Sequence, residues 1–436
     1  MTAYRNGPNI AASPLTTHPS PPLAGLRVIE LASGPRSGFC GKLLADMGAD
    51  VIAVEPPGGS AARRIGPFAD DVPDLNRSLR FWYDNTSKRG VTLSLGHAEG
   101  RALFARLLDG ADVLIEAEPP GELDALGCGY AACAGRLPGL VWAAITPFGQ
   151  SGPYREFAMT DLTSMAMGGP MASCGYDDLP GAPPIRPTDL HSLHMGGEYA
   201  AMGVMIALLE RLQSGRGQYL DVSIHEACAG TTEGSFPNWE YFQRLVLRQT
   251  GRHAAAAVTP RWQYRCADGR DINMIGGGIP RNPRSWRPLL AWMDEHGLAE
   301  DLHEPQYEQI IVENPYHRGP AAAHIAEVIG RFVQALPAEE VYRRGQALHM
   351  PWGPVRSPDE NLDDPHWRDR SFFVEVEHPD LGRSITYPGL PYRLEGSPGR
   401  VASRAPLLGE HTYQVYVQEL GLAPAALREL FEQGAI

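Results

Sequence analysis

The segment LRVIELASGPRSGFCGKLLADMGADVIAVE, from Leu26 to Glu55, carries the clearest fold signal of the chain. It opens with a short β-branched run and passes through the turn Ala32 to Pro35 into a helical segment that ends near Leu44. A second strand, Asp50 to Glu55, closes it. Two strands joined by a helix predict a βαβ unit, in which the strands lie parallel because the crossover returns the chain to the same edge.

The same alternation of strands and helices continues along the chain. Further strands are predicted at 91–95, 112–116 and 140–146, and helices at 98–109 and 196–212. In the first of these helices Leu103, Leu107 and Leu108 share one face, which is the spacing of an amphipathic helix. Strands that alternate with helices favour a parallel sheet covered on both faces, so the predicted class is α/β.

Composition divides the 436 residues into four parts. Residues 1–22 are rich in Pro, Ser and Thr and predict a flexible leader, after which 23–225 form a large Rossmann-like domain. Aromatic residues, prolines and an Arg/Trp-rich stretch predict a smaller α+β domain at 226–349. The Pro- and Gly-rich remainder, 350–436, predicts an extended return to the large domain that ends in a helix around Pro424 to Phe431.

Charge and cysteine usage exclude several classes of protein. The chain carries 38 Lys+Arg against 51 Asp+Glu, a net charge of -13, which argues against broad binding to nucleic acid or to anionic membranes. No run approaches the roughly 20 apolar residues of a membrane helix, and the N-terminus has no secretion signal. The six cysteines form no CxxC pair. We therefore expect a cytoplasmic protein with free thiols and no metal site.

The turn after the first strand, Ser33 to Gly38, resembles that of a nucleotide-binding βαβ unit. A helix N-terminus offers free N–H groups to phosphate, and the acidic Glu55 ends the second strand. However, the GxGxxG spacing is absent and Pro35 removes one donor. The pattern alone therefore favours a plain tight turn over a nicotinamide site.

Two aspartates, Asp161 and Asp189, each precede a helical run. An aspartate in this position is usually a helix N-cap. The helix dipole also favours the ionised carboxylate, so Asp189 could act as a nucleophile without a general base. The residues alone leave both interpretations open.

Other constellations are weaker. His191, His194 and Glu198 would share a helical face and could bind a metal, but their spacing matches no zinc-protease signature, and no GxSxG elbow occurs. The basic residues that could neutralise phosphates, or could simply be solvated surface pairs, are Arg63, Arg64, Lys88 and Arg89.

A series of motifs in order resembles the class III CoA-transferase family, which includes formyl-CoA and carnitine CoA-transferases and the α-methylacyl-CoA racemases. The motifs are PLAGLRVIELASGP, LLADMGADVIAVEPPGG, DNTSKRGVTLSL, EGRALFARLLDGADVLIE, ITPFGQSGPY, LLERLQSGRGQYLDVSIHEA, WGPVRSPDE and PLLGEHT. Together they cover nearly the whole chain from Leu23. The resemblance implies a large Rossmann-like domain, a small domain and an interlocked-ring homodimer.

The resemblance also implies a mechanism. In these transferases an aspartate attacks an acyl-CoA to give a mixed anhydride, CoA thiolate then forms an aspartyl-CoA thioester, and an acceptor acid reverses the steps. That aspartate corresponds to Asp189, and Asp161 corresponds to an acidic residue near the active site. CoA and the two acids are substrates, and no tightly bound cofactor is implied. The predicted CoA contacts are Ser33, Arg63, Arg64, Asn85, Lys88, Arg89 and Leu93.

Two alternatives remain open. A racemase would use Asp161 with a histidine near residues 133–137, but Ala134 is the closest match there, and losing one proton carrier would cost about 10²–10⁴ in rate. A non-catalytic partner subunit of a heteromeric transferase is the other. The family's usual CoA-contacting segment after the strand at 112–116 is replaced by Ala117-Glu118-Pro119, so the phosphates of CoA would have to be bound by other groups.

The acids themselves are not identified by the sequence. A set of aromatic residues in the small domain hints at a bulky or apolar substrate, although such residues are equally common in cores. The set is Trp239, Tyr241, Phe242, Trp262 and Tyr264.

Overall fold

A computed structural model describes residues 20–232, 234–313 and 319–436 of the chain. Most of the predicted leader, 1–22, lies outside the described residues. The chain forms two compact units, a large one from residues up to 168, 189–230 and 365–436, and a small one from 169–188 and 231–364.

The large unit contains a parallel sheet. Its strands are β1 (Arg27–Leu31), β2 (Asp50–Glu55), β3 (Arg89–Thr92), β4 (Val113–Glu116), β5 (Val141–Thr146) and β6 (Tyr219–Ser223). The helices between and after them are α1 (Gly38–Asp46), α2 (Leu79–Asp84), α3 (Ala98–Leu108), α4 (Glu122–Ala125), α5 (Tyr130–Ala134), α6 (Asp161–Met167), α7 (His191–Ser214) and α8 (Ile224–Gly230). The strand order is β3-β2-β1-β4-β5-β6 and every pairing is parallel, which confirms the predicted α/β class.

The core of this sheet explains why its strands read as continuous apolar runs. Strands β4 and β5 are buried at every position, and β2 at all but its first. This is the burial expected when helices cover both faces of a parallel sheet. Leu107 and Trp142 belong to the core cluster on one side, and so does Tyr416 from the C-terminal part of the chain.

Two element boundaries differ from the prediction. The helix predicted at 196–212 begins earlier, at His191, because the polar residues at its start obscure the apolar periodicity. The third strand begins at Arg89 and ends at Thr92, whereas the prediction was 91–95. Its first residue is charged but pairs with Ile52 of β2, so a charged side chain concealed the true start.

The small unit has an α+β composition. Its elements are α9 (Ser235–Phe242), β7 (Gln263–Arg265), β8 (Asp271–Met274), α10 (Trp286–Glu295), α11 (Pro305–Glu313), α12 (Pro320–Gln334), α13 (Ala338–Ala347) and β9 (Trp352–Pro354). The strands form an antiparallel sheet in the order β7-β8-β9. Trp286, Trp292 and Trp352 are buried in its core, and so is Tyr264 of the predicted aromatic set. Tyr241 and Phe242 of that set are exposed.

The boundaries of the small unit differ from the predicted 226–349 in both directions. Helix α8 belongs to the large unit, so the small unit resumes at Thr231. Strand β9 pairs with β8, which carries the small unit on to Asp364. Residues 169–188 also belong to the small unit, although their composition does not distinguish them from the large unit.

From Pro365 the chain returns to the large unit. This part contains α14 (Pro365–Asp369), the antiparallel hairpin β10 (Phe373–His378) with β11 (Arg383–Pro388), a π-helical turn over Gln414–Glu419 and α15 (Pro424–Glu432). The predicted final helix is therefore present, and the predicted extended region includes the hairpin.

Candidate active site

The topology of the sheet marks one crevice. The chain runs outward from β1 through β2 to β3 and then resumes on the other side of β1 with β4, so the order reverses between β1 and β4. In open parallel sheets, ligands bind outside the carboxyl ends of the strands at such a reversal. The segments that follow β1 and β4, residues 32–37 and 117–121, flank this crevice.

Arg36 bridges these two segments. Its Nη1 donates a hydrogen bond of 2.7 Å to the carbonyl oxygen of Ala117. Burial lowers the pKa of the Arg36 guanidinium, against the opposing charges of Glu118 and Glu116. Arg36 therefore places a partly buried cation at the reversal of strand order, where sequence reasoning had considered only the turn.

Two carboxyl groups lie beside it. Burial raises the pKa of Glu116 to about 7, even though its Oε2 accepts a 2.8 Å hydrogen bond from the Glu118 backbone N–H. Burial also raises the pKa of Glu118. The segment Ala117-Glu118-Pro119, which departs from the family pattern, thus brings ionisable acid into the crevice.

A small cavity of about 10 Å³ lies between this edge of the sheet and the start of α7. It is lined by residues from the end of β1 and the following turn, from the segment after β2, from α2 and from Leu190. Among them are Pro35, Arg80 and Asp84. All of these groups belong to the large unit.

Asp189 lies at the end of α7 nearest this pocket. Leu190 occupies the N-cap position, so Asp189 is one residue outside the helix. Its φ of 79° is in the left-handed region, which is uncommon for a residue with a side chain and recurs at functional sites. The carboxylate is 53% exposed, and its Oδ1 lies 2.8 Å from Nη2 of Arg80. The carboxylate of Asp189 is therefore accessible at the start of the helix.

Helix α2 holds the start of α7 at a second point. Asp84 follows Arg80 by one helical turn, and its Oδ1 lies 3.1 Å from Nε2 of His194. Burial lowers the pKa of His194, but the hydrogen bond to Asp84 and the charges of Asp84, Asp189 and Glu198 outweigh it, so the pKa lies above its usual range. His194 also packs against Phe39 with ring centroids 4.3 Å apart. His194 is thus anchored to α1 and α2.

Asp161 has a different environment. It is buried as the first residue of α6, and its Oδ1 accepts hydrogen bonds of 2.8 Å from both the backbone N–H and the hydroxyl of Ser192. Thr160 caps α6 itself. Asp161 therefore satisfies an N–H in the first turn of α7, next to Asp189, and helps to set where that helix begins.

Two of the predicted phosphate-binding cations are buried in ion pairs. Arg63 is 1% exposed and donates to both carboxylate oxygens of Glu55 at 2.6 and 2.7 Å. Lys88 is 2% exposed and lies 2.7 Å from Glu30. Such pairs replace the lost hydration of each charge with protein partners, which leaves neither cation a surface for a phosphate.

The remaining two cations are separated from each other. Arg89 begins β3 at the amino edge of the sheet, opposite the crevice, and pairs with Asp50 and Glu419. Arg64 is exposed and donates only to backbone carbonyls of residues 58–60. The four predicted cations therefore do not form one cluster, and Arg64 alone among them presents an exposed side chain.

The other predicted CoA contacts are also dispersed. Asn85 lines the pocket, where its Oδ1 accepts a 2.8 Å hydrogen bond from Lys88. Ser33 is in the turn after β1, and its carbonyl oxygen accepts from Ala61. Leu93 is 3% exposed and belongs to the sheet core. Its side chain therefore packs with the core.

The suggested metal ligands do not form a metal site. In the ranges that the structure describes, no three His, Cys, Asp or Glu side chains form a group that could hold a metal ion. His194 lies within hydrogen-bond distance of Asp84 instead.

The described helices were also compared with the length and hydropathy of a membrane span. None of them combines the length and the apolar character that a membrane-spanning helix needs.

Sequence reasoning missed Arg36, Arg80 and Asp84. Arg80 and Asp84 are four residues apart in SLRFWYD, so they share a helical face, but that spacing is common on surfaces. Only the fold, which sets this face of α2 against the start of α7, distinguishes them.

The fold and the site together define an α/β protein with a crevice at the reversal of its strand order and an exposed carboxylate before a helix start. The model of CoA-transferase family III matches residues 23–412. The chain belongs to this family.

Named relatives agree over nearly the full length. The chain is 33% identical over 415 residues to the succinyl-CoA:(R)-benzylsuccinate CoA-transferase subunit BbsE of Thauera aromatica, covering 94% of this chain and 97% of the relative. It is 31% identical over 428 residues to formyl-CoA:oxalate CoA-transferase of Streptomyces coelicolor, covering 95% and 99%. Among solved structures, a CaiB/BaiF family protein from Brucella suis matches with a TM-score of 0.76 and 25% identity, covering 92% of this chain and 100% of the other. The protein is thus a CoA-transferase, an enzyme that moves CoA from an acyl-CoA to a carboxylic acid.

Proposed function

We propose that Asp189 is the nucleophile of this CoA-transferase. The observation that carries the proposal is the exposed Asp189 carboxylate, held in a left-handed conformation at the start of α7 and ion-paired with Arg80 at the pocket. A helix N-terminus favours negative charge, and a carboxylate can attack a thioester without a general base.

The proposed reaction has four steps. A carboxylate oxygen of Asp189 bonds to the acyl carbon, the C–S bond breaks, and its electron pair leaves on the sulfur as CoA thiolate. The thiolate then attacks the aspartyl carbonyl of the anhydride, and the donor acid departs as a carboxylate. The acceptor acid attacks the aspartyl-CoA thioester, and the released thiolate finally takes the new acyl group and frees Asp189.

For the CoA phosphates, we assign Arg36 and Arg64 as the principal contacts. Both lie in segments that follow neighbouring strands β1 and β2, at the carboxyl edge of the sheet. Arg36 borders the crevice, and Arg64 is exposed. Ser33 and Asn85 remain predicted neighbours of the ligand, whereas Arg63 and Lys88 act by holding the surrounding loops through their buried pairs.

Substitution of Asp189 tests the mechanism. D189N keeps the shape of the side chain but removes the charge, so we expect turnover to fall at least 10³-fold, since the covalent route is lost. CoA exchange between succinyl-CoA and free acids is the measurement, with mass spectrometry to detect a CoA adduct on the wild-type residue 189.

A matched control is available for this variant. Asp71 is also an exposed aspartate with a left-handed backbone, at φ 55°, so D71N makes the same change under the same backbone strain and should keep wild-type turnover. Unchanged turnover in D189N would contradict the mechanism. Deuterium incorporation at the α-carbon of an acyl-CoA without CoA exchange would indicate the racemase alternative instead.

The relatives suggest which acids to try. Their names include succinyl-CoA with benzylsuccinate, L-malate and D-citramalate, formyl-CoA with oxalate, and succinate with glutarate. We infer that this enzyme also transfers CoA to or from a dicarboxylic acid. A panel of these acids with succinyl-CoA as donor identifies the best pair by kcat/KM.

We also infer that the chain works as a homodimer. An apolar face of α7, formed by Met202, Met205, Ile206, Leu209 and Leu212, is exposed, with Leu209 at 62% and Leu212 at 82%. A contiguous apolar surface on a soluble protein marks an interaction site. Several relatives are named as subunits, so a second, different chain is the competing partner. Native mass spectrometry of this chain expressed alone, combined with its activity, distinguishes the two.

The cytoplasm is the proposed location. The six cysteines are thiols outside any disulfide, and every one except Cys174 is buried. Burial raises the pKa of the Cys228 thiol to about 11, which keeps it protonated and unreactive. Thiols of this kind suit a reducing compartment. That no cofactor is tightly bound remains a prediction, which metal analysis and absorption spectra of the purified protein can check.

A further inference from the structure

Arg80 makes fewer hydrogen bonds than Arg63, a buried arginine of the same unit. Arg63 uses Nε and Nη2 together on the two oxygens of Glu55. Arg80 places Nη2 2.8 Å from Asp189 Oδ1, while its Nε is buried without a hydrogen-bond partner in the part of the chain that the structure describes. The Nε–Nη2 edge of a guanidinium is a two-pronged donor that matches a carboxylate. Asp189 therefore engages one prong and leaves the other unused.

The position of Arg80 makes the unpaired Nε–H relevant to a ligand. Its side chain is 28% exposed and lines the pocket, next to the residue proposed to react. A buried N–H without an acceptor is unfavourable, so an arrangement that supplies a second carboxylate oxygen would be preferred. A carboxylate that engaged both prongs would provide it.

The charges around Arg80 change during the proposed reaction. At rest, Arg80 is balanced by Asp189, and the carboxylate of the neighbouring Asp84 lies within hydrogen-bond distance of His194. Once Asp189 carries an acyl group or CoA it has no charge, and Arg80 becomes an uncompensated cation. In each such state the mechanism has a free acid leaving or arriving.

We infer that Arg80 binds the reacting carboxylate of the free acid whenever Asp189 is acylated. One guanidinium thus serves two carboxylates in turn, Asp189 in the resting enzyme and the substrate acid in the intermediate. This inference rests on the proposed function, because it requires a covalent Asp189.

The geometry also suits the chemistry. A carboxylate on Arg80 lies beside residue 189, because the guanidinium is within 2.8 Å of the Asp189 oxygen at rest. Reacting atoms must approach to about 3–3.5 Å for attack. An oxygen of the bound acid then bonds to the aspartyl carbonyl carbon, the C–S bond of the aspartyl-CoA thioester breaks, and the electron pair leaves on the sulfur of CoA.

The test compares R80Q and R80K with wild type, using succinyl-CoA as donor and glutarate, L-malate or oxalate as acceptor, whichever the wild-type enzyme uses best. We expect R80Q to raise KM for the acid at least tenfold while KM for succinyl-CoA changes less than threefold. R80K keeps the charge but loses the planar guanidinium, so its KM for the acid should lie between those of the wild type and R80Q. The CoA adduct on Asp189 should still form from succinyl-CoA alone.

Arg77 supplies the control, since R77Q removes an arginine whose ion pair with Asp70 is on the surface of the same segment. It should leave both KM values unchanged. An unaltered KM for the acid in R80Q, or an equal rise for both substrates, would overturn the role of Arg80 while leaving the Asp189 mechanism intact. Full turnover in D189N would instead remove the proposed function. If R80Q does not fold, R80K gives the same comparison of KM values.

Discussion

At the scale of single residues, Glu116 shows how the crevice couples ionisation to stability. Burial raises the pKa of its carboxyl to about 7, from 4.5. The folded protein therefore holds a proton on Glu116 between about pH 4.5 and 7 that the unfolded chain has released. Stability contributed by the protonated form is present at low pH and is lost as the pH rises through 7.

E116Q should remove this dependence. Glutamine keeps an oxygen that can accept from the Glu118 N–H but has no charge to bury, so we expect the variant to be more stable than wild type at pH 8 and nearly equal at pH 4.5. The rise in the pKa of Glu116 corresponds to a difference of about 3 kcal/mol in the free energy of unfolding at the higher pH. Thermal unfolding midpoints measured from pH 4.5 to 8 check it.

E429Q is the control for that series, because Glu429 is exposed in the later half of α15, in the same unit. Its unfolding midpoint should follow that of the wild type across the whole pH range. Parallel curves for E116Q and wild type would show that Glu116 ionises normally.

Residue type alone could not distinguish the cations. Adjacent basic pairs in a sequence suggest solvated or phosphate-binding side chains, yet Arg63 and Lys88 are among the most deeply buried groups of the chain. Each is buried because a carboxylate from a core strand, Glu55 or Glu30, lies within ion-pair distance. That pairing depends on tertiary contacts, which residue identity and local spacing do not contain. The position of Asp189 before a helical run could be predicted because it is a local feature, whereas its role in the reaction stays a prediction.

At the scale of elements, the packing of α1 on β1 depends on Gly41. A Cβ at residue 41 would overlap the Glu30 carboxylate and approach Lys88 Nζ to 2.9 Å. The carboxylate cannot move aside without breaking a fully buried ion pair. Helix propensity would favour alanine here, but close packing requires glycine.

We therefore expect G41A to destabilise the protein by about 3 kcal/mol, the upper end of the range for overpacked cores. G135A is the matched control, since Gly135 has a φ of -68° and open space around its Cβ position. It should change stability by less than about 1 kcal/mol. Denaturant unfolding of the two variants measures the difference, and equal stabilities would contradict the packing argument.

Elements with a regular apolar pattern were predicted well and the others less so. Strand β2 was predicted with its observed bounds, because it is a β-branched run between polar residues. Helix α7 was predicted short at its N-terminal end, since the histidines and serine of its first turn carry no periodic signal. That first turn is part of the candidate site, and side chains there are selected by contacts to α2 and Asp161 rather than by the helix.

At the scale of the whole molecule, the apolar face of α7 predicts association. L209D places a charge at its centre, where burial between two chains would require desolvation of the carboxylate. We expect the variant to have half the mass of the wild-type dimer and at least tenfold lower activity. Size-exclusion chromatography with light scattering measures the mass.

F431D is the comparison for that experiment, because Phe431 on α15 is also an exposed apolar residue, at 72%. It should retain the mass and activity of the wild type. A wild-type chain that is monomeric and inactive alone would contradict the homodimer and indicate a different partner subunit.

The division into units was only partly predictable at this scale. Changes in composition near 226 and 350 located the small unit approximately. The assignment of residues 350–364 to it depends on the pairing of β9 with β8, and that of 169–188 on contacts distant in sequence. Neither assignment can be read from amino-acid composition.

The buried pair of Arg63 and Glu55 has a consequence for the order in which the protein is made. The Arg63 guanidinium also donates to the carbonyl oxygen of Pro406, 343 residues later in the chain. During synthesis on the ribosome, Arg63 therefore stays without this hydrogen bond until the small unit has emerged. The bond can form only after residue 406 has left the ribosome. The small unit, whose later part is continuous from 231 to 364, can complete most of its core first. The first strands to leave the ribosome are thus among the last whose surroundings are finished.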